Sequence, residues 1–209
     1  MTRSILAVVL VLTGGAARAS ARELTLGLEG GWATLSNASQ SAEAVFDGSS
    51  GGATFGASFR VGVGRSLFVG VSGRFFRKEG ERAFVPATGG PAFPLGHPLT
   101  VRVVPVHALA GWRFRPQTGL VPYVALGVGA TSYRETSTVG GLDEEPISQT
   151  KASGLGALGV EYGRGTVRFG IDLSYLLAPD TLGLGGVSAV YGEDDVGGFT
   201  AMGRVAFVF

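Results

Sequence analysis

Seven charged side chains stand inside otherwise apolar, alternating stretches: Glu29, Arg60, Arg74, Glu161, Arg168, Asp172 and Arg204. Four guanidiniums against three carboxylates suit ion pairing rather than bond making. Other residue patterns that suggest chemistry are weaker. Gly154-Leu155-Gly156-Ala157-Leu158-Gly159 has the letters of a dinucleotide fingerprint. That fingerprint works where a strand turns into a helix whose N-terminus meets the pyrophosphate, and this run continues as strand. Asp143-Glu144-Glu145 and Glu193-Asp194-Asp195 are acidic clusters without a complete cation-ligand pattern, so they read as solvated loop and no metal site is expected. Asn37-Ala38-Ser39 has the letters of a glycosylation sequon and carries no further signal. Arg77, Lys78, Arg82, Arg102 and Arg134 fall at the ends of alternating stretches or just beyond. A basic rim there reaches phosphate groups through charge-assisted hydrogen bonds.

The elements that must hold these residues follow from composition and period. The chain has 209 residues, 36 of them Gly, no Cys, and a formal net charge of +1. The missing thiols exclude a disulfide scaffold and a zinc ribbon. Near-neutral charge argues against nucleic acid as a partner. Mean hydropathy is +0.31, yet beyond the first dozen residues no stretch approaches the ~18 consecutive apolar residues of a membrane helix. Instead the apolar residues come every second position, the period of a strand. Phe55, Ala57, Phe59, Val61 and Val63 alternate with Gly56, Ser58, Arg60 and Gly62. Val167, Phe169, Ile171, Leu173 and Tyr175 alternate with Arg168, Gly170, Asp172 and Ser174.

Eight such segments are expected, at 22–33, 53–63, 67–77, 100–114, 120–133, 150–162, 166–177 and 198–209. Their connections alternate between long (34–52, 78–99, 134–149, 178–197) and short (64–66, 115–119, 163–165). This is the pattern of an all-β, eight-stranded antiparallel up-and-down transmembrane β-barrel. Apolar residues on facing positions predict the hairpin pairs Val63 with Leu67, Trp112 with Pro122, and Val160 with Phe169. One face carries Leu24, Leu26, Leu28, Trp32, Leu67, Val69, Val71 and Phe75; the other carries Thr, Ser, Gly and charges. An Arg facing lipid at the midplane costs about 2–4 kcal/mol, so the seven charges belong inside. An eight-stranded barrel is just wide enough to be filled by its own side chains. The lumen is therefore expected to be a packed network of ion pairs, with Glu161–Arg168 and Glu29–Arg204 foremost and His107 also inward. Small residues make room for it. Trp32, Trp112, Phe114, Tyr133, Tyr162 and Tyr175 are candidates for the interfacial aromatic girdles.

Residues 1–21 read as a secretory signal peptide: Arg3 in a basic start, an apolar run from Ile5 to Leu12, and Ala19-Ser20-Ala21 before the cleavage site. Its removal takes away Arg3 and Arg18 and leaves the mature barrel, 22–209, near −1.

The strand Pro122-Tyr123-Val124-Ala125-Leu126-Gly127-Val128-Gly129 and the terminal Val205-Ala206-Phe207-Val208-Phe209 resemble the small OmpA-like and OmpX-like outer-membrane β-barrel domains. The resemblance implies outer-membrane localisation of the Gram-negative type. It implies that Val205, Phe207 and Phe209 form the signal read by the barrel-assembly machinery. It also implies lipid and lipopolysaccharide as neighbours, with Arg77, Lys78, Arg82, Arg102 and Arg134 as the contacting rim. No periplasmic domain follows the barrel, so the peptidoglycan tether of larger members is not expected. Structural, adhesion or host-surface roles fit the family, with no cofactor and an extracellular partner that the sequence does not identify. Lipid A-modifying enzymes share the barrel and use a His with a Ser. Neither His97 nor His107 stands in a His-x-Ser pattern, so an enzyme is not expected; a small passive pore is the nearer alternative.

Overall fold

The computed structural model describes residues 23–87, 90–114, 119–139, 142–143, 145–183 and 185–209. The expected signal peptide, the central part of the 115–119 turn and Glu144 lie outside these residues. The strands are β1 (Leu24–Thr34), β2 (Gly51–Val63), β3 (Leu67–Phe84), β4 (Phe93–Arg113), β5 (Leu120–Val139), β6 (Ile147–Tyr162), β7 (Val167–Leu177) and β8 (Gly198–Val208). Each pairs antiparallel with the next, and β8 returns to pair with β1. The seam extends to the last residue, where Leu24 and Phe209 exchange both backbone hydrogen bonds. Among the described residues every strand is therefore paired on both sides within the ring, the condition for strands in hydrocarbon, and only β3 beyond Phe76 and β6 before Gly154 rise past their shorter neighbours.

Side chains sort by parity. Leu26, Leu28, Phe55, Val71, Phe75, Val106, Leu126, Val128, Leu158, Phe169, Ile171 and Phe199 are exposed and form an apolar belt. Trp32, Trp112, Phe114 and Tyr162 stand on the same outer face. Tyr175 is partly covered, edge-on to Phe199, with its hydroxyl bonded to Asn37. Tyr133 is buried and faces inward, so it is not part of a girdle.

The hairpin β2–β3 has the expected register, with Val63 opposite Leu67. The other two short hairpins are shifted by two residues: Trp112 faces Val124, and Val160 faces Ile171. In the second, Gly165 takes a left-handed φ of 80° and the turn widens. A two-residue slip leaves every side chain on its own face, so alternation dictates parity without dictating register.

The larger difference lies outside the belt. β1, β2, β7 and β8 have 11–13 residues, whereas β3 to β6 have 16–21. Much of the expected long connections 78–99 and 134–149 is thus strand, continuing as a tall wall on one side of the ring. In this crown the polarity of the two faces is exchanged. Arg77, Glu79, Arg102 and Arg134 now face out, while Phe76, Leu99, Val101, Val103 and Tyr133 face in and are buried. Once the outer face meets water, polar residues belong there and the apolar ones turn to a core. That core is closed by the other two long connections, which fold rather than dangle: α1 (Ser39–Val45), preceded by a 3₁₀ turn, and α2 (Gly186–Tyr191). Leu35, Ala42, Phe46 and Val196 from these segments pack onto the inner face of the wall.

Candidate functional site

The lumen is built in layers. At the end near the short turns, Glu23 pairs with Arg113 and accepts two hydrogen bonds from Arg168, at 2.9 and 3.1 Å. Burial alone would raise the Glu23 carboxyl, but the hydrogen bond and charge of Arg168 together with the charge of Arg113 hold it below its ordinary value. Neither Glu23 nor Arg113 stands out in the sequence. Arg113 shares the parity of His107, which is the signal that finds it; Glu23 precedes the first strand and carries no signal.

Above this layer Glu161 is a hub, lying 3.2 Å from Arg60, 3.4 Å from Arg204 and 3.8 Å from Arg168. The expected Glu161–Arg168 pair is thus its longest contact, because the register shift places Gly170 rather than Arg168 opposite Glu161. Arg168 instead turns to Glu23. Glu29 and Arg204 are direct cross-strand partners at the β1–β8 seam, 3.9 Å apart. The Ser58 hydroxyl donates to Glu29 at 2.8 Å. The Arg60 guanidinium lies over the rings of Phe68 and Tyr123, 5.0 and 4.5 Å from their centroids. Tyr123 donates to Asp172. Arg74 donates to Ser174 at 2.6 Å and to Asp172 at 3.3 Å. Clearance comes from glycine at defined places. A Cβ on Gly27 would sit 2.7 Å from the Arg204 guanidinium, and one on Gly159 would sit 2.6 Å from the Tyr123 ring. Gly154 and Gly156, by contrast, have outward parity, so the fingerprint-like run lies within β6 and only part of it faces the lumen.

The next layer is neutral. His107 hydrogen-bonds Ser153 at 2.9 Å, and Thr131 donates to the same hydroxyl at 2.9 Å. This His–Ser contact runs between β4 and β6, across the intervening β5, so no local motif announces it. His107 is 2% exposed. A gap of about 30 Å³ borders His107 and Arg74, room for little more than a water molecule. Phe76 and Val103 are buried on its crown side, in one apolar cluster with Leu109, Leu155 and Leu176.

No family model and no curated protein matches this sequence. Solved structures do. Neisserial surface protein A aligns with 91% of this chain and 98% of its own, at 16% identity and a TM-score of 0.54. OprG from Pseudomonas aeruginosa aligns over 88% and 95%, at 14% identity and 0.55. A major outer membrane protein from Thermus thermophilus aligns over 90% and 100%, at 11% identity and 0.54. The fold is that of a small outer-membrane β-barrel.

On this outer-membrane-type barrel the five basic rim candidates divide. Arg77, Arg102 and Arg134 face outward on three adjacent strands and are directly opposite one another in register, forming a single row at the lower edge of the crown. Lys78 has inward parity, and its ammonium is held by the carbonyls of Ser49 and Gly51. Arg82 also turns inward and lines the space under the crown helices. Alternation explains both departures, since 78 and 82 share the parity of the buried Phe76. Val205, Phe207 and the exposed Phe209 lie on the outer face at the seam, opposite Leu28, Leu26 and Leu24. The acidic cluster of the fourth connection is bound internally rather than solvated. Glu193 accepts from the backbone N–H groups of Gln40 and Ser41, and Asp195 accepts from those of Ala178 and Gly197. Asp143 pairs with Thr138 in a two-residue ladder.

Proposed function

We propose that the protein is an integral outer-membrane barrel with a sealed lumen, non-enzymatic, whose role is structural and interactive at the cell surface. The observation that carries this reading is the burial of the side chains that point into the lumen. An ion-pair hub at Glu161 fills one half and an apolar layer around Phe76 and Val103 fills the other. The apolar belt supports an integral position in lipid, and the crown supplies the surface that reaches beyond it. Val205, Phe207 and Phe209 are assigned as the signal for the barrel-assembly machinery. The outward arginine row is assigned to lipopolysaccharide phosphates. The burial of His107 and Ser153 between two closed layers favours a structural role for that pair over acyl transfer.

Single-channel recording in planar bilayers tests the reading against a small passive pore. The expected result is an absence of sustained conductance steps in the wild type. Opening of stable steps in the wild type would overturn the sealed lumen.

A further inference from the structure

The crown holds a cavity of about 430 Å³, separate from the ion-pair hub. Its walls come from three places: Leu99 and Val101 on the tall sheet, Ala42 and Phe46 on the first connection, and Leu182 and Val187 on the fourth. Volumes of 300–1,000 Å³ with mainly apolar walls and a few polar groups characterise small-molecule sites. The polar groups here are Arg82, Ser41, Ser188 and Glu135, whose carboxylate accepts from the Tyr133 hydroxyl at 2.8 Å.

The covering helix gives a second, independent observation. α2 has the sequence Gly-Val-Ser-Ala-Val-Tyr, yet none of its side chains is buried. An amphipathic helix laid over a core normally buries one face. This helix borders the cavity through Gly186, Val187 and Ser188 and so contributes a wall instead of a core layer. α1, on the opposite side, does bury Ser41 and Ala42 and is fixed by Glu193.

We propose that this cavity binds a small neutral apolar molecule carrying a single hydroxyl or carbonyl, such as a simple aromatic or short-chain alcohol. Arg82 and Glu135 put both signs of charge on the walls, so net charge favours neither a cation nor an anion, and a neutral ligand avoids the cost of taking a charge out of water. A neutral polar group finds both a donor and an acceptor. The inference goes beyond the sealed-barrel reading and does not depend on it.

Equilibrium dialysis of the full chain in lipid nanodiscs tests the site, with 2-naphthol as the probe and protein-free nanodiscs correcting for partition into lipid. The expected result is saturable uptake of one probe per barrel. Val187→Trp fills the cavity from the helix side and should weaken uptake at least tenfold, with heat-modifiable gel migration verifying the folded barrel. Ala42→Leu fills it from the other wall and serves where the first variant fails to fold. The carboxylate analogue 2-naphthoate should bind at least tenfold more weakly than 2-naphthol. Uptake no greater than in protein-free discs would overturn the proposal. So would saturable uptake unchanged by the folded filling variant, or a carboxylate that binds as well as the alcohol.

Discussion

At the scale of single residues, Glu161 bears the most electrostatic weight. It is 1% exposed and faces three guanidiniums. Removing one partner of a buried ion pair leaves uncompensated charge and costs about 3–5 kcal/mol. Glu161→Gln should therefore lower the unfolding free energy of the refolded barrel, read from urea titration, by an amount of that order, while the exposed Glu79→Gln leaves it unchanged. Glu23 gives a pH signature. Its carboxyl is held below the ordinary value in the folded state, so the stability it contributes is present above the unfolded value and is lost as pH falls through the folded one. The difference in urea midpoint between wild type and Glu23→Gln should be full at pH 7 and vanish under strongly acidic conditions. A difference that persists unchanged into strong acid would contradict the assignment. The seven mid-strand charges are readable in sequence because each takes a polar position within an alternating run whose other face is apolar. His107–Ser153 is not, because the two residues are 46 positions apart and meet through a strand that lies between them.

At the scale of elements, parity was the strong signal and register the weak one. A side-chain period of two fixes which face each residue takes, and a slip of two residues leaves it unaltered. Hence Trp112 and Val160 have the expected face but not the expected partners. The crown was hidden for a different reason. Residues 78–99 contain Pro86, Pro91, Pro94 and Pro98 and paired glycines, which read as loop, and the exchange of inner and outer polarity in the crown breaks the pattern that defines the belt. The two connecting helices are too short to declare themselves by periodicity. Their attachment is testable. Glu193 binds the start of α1 through Gln40 and Ser41, so Glu193→Ala should speed proteolysis within residues 36–50 severalfold. Heat-modifiable migration of the barrel should not change. Equal cleavage rates in the two proteins would show that the latch does not hold α1.

At the scale of the whole molecule, Arg77, Arg102 and Arg134 form a row of like charge in which Arg77 is paired with Glu79 at 2.6 Å. Directly opposed residues in an antiparallel sheet have Cβ atoms about 4.5–5.5 Å apart, and like charges so placed destabilise the sheet. The row stands where the apolar belt gives way to the polar crown, the level at which we propose phosphorylated lipid headgroups to lie. Arg102 is central to it. Arg102→Gln should leave thermal stability equal or slightly raised in detergent alone, and should remove most of the stabilisation gained on adding lipopolysaccharide. A variant that responds to lipopolysaccharide as the wild type does would dissociate the row from that ligand.

The seam between β1 and β8 has a consequence for biogenesis. It joins segments separated by nearly the entire chain, and the Glu29–Arg204 pair and the Leu24–Phe209 hydrogen bonds lie along it. Every other strand pair closes a shorter stretch of chain and carries a smaller entropic penalty for meeting. The sheet is therefore poised to assemble as an open ribbon whose two free edges recognise each other last. Until that moment both edges present unpaired backbone, the surface on which the assembly machinery proposed above would act.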